Sequence, residues 1–303
     1  MGKRTNKNAP ANARQAKLDQ MRAQEQRRSR RFIIATSAIV TLIVLVVAVA
    51  VIGAARNSTS RATADGPLPA DVQAALTSIP ADVYDQVGAG TAANPPHKPA
   101  GLSPVVVDGK PQILYVGTEY CPYCAGLRWS TVTALARFGT WEPLHVSASG
   151  AAPEAFPSTA TVSFSGSKYQ SEHITWAGYE MSSNEKGTDG RYTQLDVLPD
   201  DDLNRYVQLN SAPPLPAGSA GGVPFVSIGG TTLQAGGLYD LSVLRGLSAE
   251  RIVDRLDNPN DPVTQGVIGG ANVLTAAICE QTGGQPVDVC DSPGVKAAAE
   301  VGR

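Results

Sequence analysis

The sequence is short of the residues from which metal and acid–base sites are built. Its 303 residues include three histidines and four cysteines. His97, His145 and His173 stand alone in sequence, and each reads as a loop or surface residue rather than an acid–base group. A structural zinc site takes four ligands, and no second CxxC or His pair lies at ligand spacing to supply them. Neither a metal nor a cofactor is expected. Basic residues are scarce beyond the start of the chain. Residues 1–31 hold ten of the 25 Lys and Arg against only Asp19 and Glu25, a net charge of +8. The other 272 residues hold 15 basic and 25 acidic side chains, a net of -10. That acidic remainder excludes a nucleic-acid-binding globular domain, because the phosphate backbone needs a basic face. Internal repeats and low-complexity tracts are absent. Gly (30) and Pro (22) are somewhat above average, which implies long loops without a collagen-like period. With 42% apolar residues a packed core is available, and the length suits one large domain or two ordinary ones.

The charge asymmetry breaks at an apolar segment. Residues 32–55 are 24 positions without a charged side chain, and about 20 suffice to cross the hydrocarbon layer as a helix. We expect one transmembrane helix here. A cleaved signal peptide is the competing reading, with Ala48-Val49-Ala50 as its site, but its apolar region is usually about 7–15 residues. Arg27, Arg28, Arg30 and Arg31 precede the span, which puts the N-terminus in the cytoplasm and residues 56–303 outside. The expected location is the cell membrane, single-pass. Residues 1–31 read as a basic cytoplasmic tail, with the bilayer as partner of 32–55.

Beyond the span, residues 56–102 read as a linker with a short helix near 71–76 that Asp71 can cap. Val105-Val106-Val107 is a short strand before the turn signal Asp108-Gly109. Ile113 to Gly117 is a continuous apolar run, as in a buried central strand. Leu127, Thr131, Ala134, Leu135 and Phe138 fall on one helical face, ended by Gly139. Residues 141–146 read as the next strand, completing a strand–helix–strand unit. Residues 147–215 look like an insertion, with strands at 160–164 and 174–179 and a helix at 200–208. Val223 to Ile228, Gly229-Gly230 and Thr231 to Ala235 read as a hairpin. A short helix at 248–256 and an apolar one at 263–279 follow, the second within a C-terminal helical extension at 258–303.

The cysteines carry the chemistry. All four fall on the outer side, where disulfides persist. Sequence proximity pairs Cys121 with Cys124 and Cys279 with Cys290. In Cys121-Pro122-Tyr123-Cys124 the first cysteine sits at a strand-to-helix turn, and Pro122 suits the first helical position. Free N–H groups at the helix start favour a thiolate at Cys121. Cys124, one turn on, can resolve a mixed disulfide. A structural disulfide at this spacing would close little chain entropy. Cys279 and Cys290 read as a structural disulfide, a staple for the tail. A second redox pair relaying to Cys121–Cys124 is the alternative, with residues 281–286 as hinge.

The CPYC motif after an apolar strand, with Val223-Pro224 before a hairpin about 100 residues later, resembles the thioredoxin-like superfamily. The resemblance covers residues 103–257. It implies an α/β fold with a central mixed sheet flanked by helices and carrying an insertion near 147–215. It also implies a cis bond at Val223–Pro224, found at only about 5–6% of X–Pro bonds, with the Val223 backbone available to an extended substrate. More narrowly, the single span, CPYC domain and C-terminal cysteine pair resemble an uncharacterised membrane-anchored thioredoxin-like family of bacteria and archaea, a domain of unknown function. The expected activity is thiol–disulfide exchange on protein thiols and disulfides, with room for a redox partner in the membrane. The alternative is a non-catalytic binding or assembly module at the cell surface. Thioredoxin's buried acid has no clear match, and Glu119 reads as an exposed loop residue. Tyr120 and Tyr123 are candidates for an apolar rim. The direction of electron flow does not follow from the motif.

Overall fold

The computed structural model describes residues 66–301. The basic tail, the expected span at 32–55 and the tether at 56–65 lie outside the described residues. Two short helices come first, α1 (Ala70–Thr77) and α2 (Ala81–Val87). Asp71 does not cap α1. Pro69 holds that position without a side-chain bond, and Asp71 lies in the first turn, where its charge still favours the helix N-terminus. This stretch is also not a loose linker. Leu68, Leu76, Val83, Tyr84 and Val87 are buried in the main core, and Tyr84 Oη donates to the Thr133 carbonyl at 3.0 Å.

β1 (Val106–Val107) and β2 (Lys110–Gly117) pair antiparallel. Their turn, Asp108-Gly109, takes positive φ at both residues, 51° and 76°, the geometry for which Asp-Gly is favoured. β2 runs into α3 (Pro122–Leu135), of which every residue but Tyr123 is buried. Gly139 does not end this helix; it opens β3 (Gly139–Glu142), where a Cβ would meet the Gln170 carbonyl oxygen.

The strand reading of 141–146 is corrected here. Pro143 cannot donate to a ladder and splits the run into β3 and β4 (His145–Ala148). β4 pairs with β5 (Ala160–Ser163) and β3 with β6 (Lys168–Ser171), both outside the central sheet. Trp141 is drawn into an aromatic cluster instead. Its ring lies 5.3 Å from Phe164 and Trp176 and 4.8 Å from Tyr169. The strand that returns parallel to β2 is β7 (Thr175–Glu180), in register from Gln112↔Thr175 to Gly117↔Glu180. Much of the extra chain therefore lies between α3 and β7. The rest is a small ladder of β8 (Ser182–Lys186) and β9 (Tyr192–Gln194), then α4 (Asp200–Leu209). β10 (Phe225–Ile228) and β11 (Thr232–Ala235) form the expected hairpin through Gly229-Gly230. The central order is β7–β2–β10–β11, with β2 and β10 antiparallel.

Alternation along β2 builds two apolar layers. Ile113 and Tyr115 face the main core, while Leu114 and Val116 pack with Leu198, Leu203 and Tyr206. α5 (Ala249–Val253), capped by Ser248, and α6 (Pro262–Gln281) complete the main core. Alpha-6 is long and apolar enough to cross a membrane by length and composition, yet it is 89% buried inside the fold. Ser130 Oγ donates to the Val267 carbonyl at 2.8 Å, and Gly270 allows this approach because a Cβ there would come within 2.6 Å of Ser130 Oγ. The molecule is thus mixed α/β, a sheet with helices on both faces.

α7 (Val287–Cys290) and α8 (Pro293–Ala299) close the chain. Cys279 and Cys290 form a disulfide across 11 positions. Ile278 lines a small cavity together with Thr131, Ala134, Leu135 and Ile113, toward the end of α3 away from Cys121. Fourteen helical residues span about 20 Å, so the two cysteine pairs sit at opposite ends of that helix. This separation favours the staple over the relay. Replacing Cys279 and Cys290 by Ser should cost about 3 kcal/mol, the loop-entropy value for a ring of this size. Urea unfolding checks this, and an unchanged midpoint and slope would show that the bridge holds nothing.

Candidate site at the Cys121–Cys124 turn

Beta-2 ends at Gly117, and four residues later Cys121 caps α3. Its sulfur accepts from the Cys124 backbone N–H at 3.3 Å, with Pro122 at the first helical position. Both cysteines are free thiols; Cys121 is 8% exposed and Cys124 is fully buried. The Cys121 thiol is lowered to about 7, first by the hydrogen bond from the Cys124 thiol, against the effect of burial. Backbone N–H groups of Cys124 and Tyr123 and the Arg128 charge add to the lowering. The helix start thus contributes as expected, but the neighbouring thiol contributes more. Burial pushes Cys124 well up, and donation to Cys121 pushes it further. The pair is therefore asymmetric: one thiol ionises near neutral pH and the other holds its proton. A thiolate of this kind is a nucleophile toward disulfides.

Val223 and Pro224 are brought to this turn. Cys121 Sγ lies 3.8 Å from the Val223 carbonyl oxygen, to which its thiol donates. The Val223–Pro224 peptide is cis. Pro122 is buried, and Tyr123 is 45% exposed. His97, His145 and His173 make no hydrogen bond to either thiol, and among the described residues no cluster of three potential metal ligands occurs.

The exposed-loop reading of Glu119 is overturned. Glu119 is 3% exposed, and its two oxygens accept from Ser147 and Ser163, on β4 and β5. Two further residues, Arg128 and Glu180, belong to the site and carry no motif in the sequence. Arg128 is fully buried one helical turn beyond Cys124. Its Nε and Nη2 each lie 2.7 Å from a Glu180 oxygen, and Nη2 also donates to the Thr118 carbonyl at 2.8 Å. Glu119 Oε2 stands 3.8 Å from the same nitrogen. Burial pulls the Arg128 guanidinium down, but Glu180, Tyr115 and Glu119 outweigh it and hold it well above its ordinary value. Burial pushes the Glu180 carboxyl up against the pull of Arg128. Arg128 Nη1 and Tyr115 Oη, both buried, have no hydrogen-bond partner among the described residues. The available signals were an arginine on a helix face with otherwise apolar and small neighbours, and a lone acid ending an uncharged strand.

Residues 102–198 match the family model for a domain of unknown function (DUF929). The match spans about a third of the chain. It carries Cys121, Cys124, Arg128 and Glu180, and it ends before Val223. No curated protein and no solved structure matches the chain.

The asymmetry of the two thiols has a direct readout. Iodoacetamide labelling of reduced protein should modify Cys121 with a rate that rises through about pH 7, because the lowered group becomes thiolate above that value. Cys124 should stay unlabelled across the same range. A Cys121 midpoint near the ordinary thiol value of about 8.5 would contradict the assigned hydrogen bonding.

Proposed function

We propose that this chain is a membrane-anchored, extracytoplasmic thiol–disulfide oxidoreductase with a thioredoxin-like domain. The observation that carries the reading is the Cys121 sulfur at the start of α3, lowered toward neutrality by the Cys124 thiol and by backbone N–H groups. The order β7–β2–β10–β11, with one parallel and two antiparallel neighbours around a helix that begins in CPYC, supports the fold. The bilayer anchor and the outward placement rest on the apolar span at 32–55 and the arginines before it.

The reaction is a two-electron exchange. The Cys121 thiolate attacks one sulfur of a substrate disulfide; that S–S bond breaks, a mixed disulfide forms and one substrate thiolate leaves. Cys124 sulfur then attacks the Cys121 sulfur, and its proton passes to the second substrate sulfur as that leaves. The chain ends with one disulfide, and the substrate with one thiolate and one thiol. The same steps reversed oxidise a dithiol, so the reduction potential of the pair against its compartment sets the direction. Arg128 supplies a fixed positive charge that favours thiolate at both cysteines. Protein thiols and disulfides are the proposed partners.

Cys121→Ser should abolish exchange with a reduced or oxidised protein substrate. Cys124→Ser should retain attack and accumulate mixed disulfides, visible as reductant-sensitive adducts on non-reducing gels and by mass spectrometry. Unchanged turnover in either single variant would refute the mechanism, whereas a wild-type Cys121 that exchanges with no disulfide would favour a non-catalytic thioredoxin-like module.

A further inference from the structure

We infer that the chain inserted after α3 supplies an aromatic recognition surface for the residue beside the substrate's cysteine, and that the substrate is an extended polypeptide with a bulky apolar or aromatic side chain there. The inference rests on the redox reading above and deepens it. Six large apolar residues are exposed in the described chain; five are valines and the sixth is Tyr123, within the CPYC motif itself. Tyr123 is met edge-on by Phe156, with ring centroids 6.2 Å apart at 78°. On the other side of Cys121 in sequence, Tyr120 stacks flat on Tyr192 at 4.0 Å and 4°. Both partners belong to the inserted chain, which also binds the turn directly, since the Gly150 N–H donates to the Tyr120 carbonyl at 2.8 Å.

The rings are held before any substrate arrives. The Arg245 guanidinium sits 5.7 Å over the Phe156 ring, and Lys186 Nζ lies 5.0 Å over Tyr192. Tyr192 Oη donates to Glu154 at 3.2 Å. Fixed rings lose little freedom on binding. Opposite charges meet one of these rings, since Glu154 accepts from the Tyr192 hydroxyl and Lys186 covers the face of the same ring. Discrimination by net charge is therefore weak, and ring contact is the stronger selector. An aromatic pair beyond area burial amounts to about a tenfold preference at most.

Two disulfide-linked decapeptides differing only in Phe or Ser beside the cysteine test this. The full chain should favour the Phe probe by up to about tenfold in kcat/KM. In Phe156→Ala the Phe-to-Ser ratio should fall toward one, and Phe156→Tyr should restore it. Tyr192→Ala, at a half-exposed position, gives an independent variant and should also lower the ratio. Equal rates on both probes in the wild-type chain would overturn the inference. So would a Phe156→Ala variant that slows both probes alike, because that is the mark of a structural role. Absence of exchange with either probe and with hydroxyethyl disulfide would instead overturn the redox reading, and this inference with it.

Discussion

One buried charge organises the region around the cysteines. Arg128 has no exposed surface, and a guanidinium in that position is tolerated only with its charge paired; its Nε and Nη2 are bonded, while Nη1 is left without a partner among the described residues. Glu180 meets it with two parallel hydrogen bonds, the arrangement that combines strength with orientation. The Thr118 carbonyl takes a third. In this way α3 is tied to the end of β7 and to the turn that carries Cys121. Glu119 extends the tie to β4 and β5 through Ser147 and Ser163. Removing one partner would leave an uncompensated buried charge, a cost of about 3–5 kcal/mol. The network also lies close enough to both thiols for its cation to favour their ionised forms.

Local signals made part of this legible. The apolar run 113–117, the CPYC turn, the Gly-Gly hairpin and the apolar stretch near 263–279 all correspond to observed elements, because each is specified by short-range pattern or turn chemistry. The return strand did not follow from local pattern. Residues 141–146 look as strand-like as 175–180, and the choice between them is made by Pro143 and by the aromatic cluster around Trp141, which is tertiary. Glu119 and Glu180 show the same limit. A carboxylate reads as exposed until its partner is known, and Arg128 reaches Glu180 across 52 positions. Residues 56–102 read as a linker, yet Leu68, Leu76, Val83 and Tyr84 reach the core, because their partners lie far along the chain, as Thr133 does for Tyr84.

The inserted chain has two separable roles. Its inner side chains, Ser147, Ser163 and Phe164, serve the buried network and the aromatic core. Its outer ones, Phe156 and Tyr192, reach Tyr123 and Tyr120 beside the cysteines. The family match at 102–198 includes both sets. The C-terminal staple acts at the far end of α3, so the proposed exchange involves Cys121 and Cys124 and leaves Cys279–Cys290 closed.

The proposed exchange requires that Cys121 and Cys124 form one dithiol–disulfide couple. Equilibrating the full chain in glutathione buffers of graded potential, then counting alkylated thiols by mass spectrometry, tests it most directly. The two thiols should disappear together as a single two-electron transition while Cys279–Cys290 stays oxidised. Two thiols that remain, or that react one at a time without bonding to each other, would contradict it.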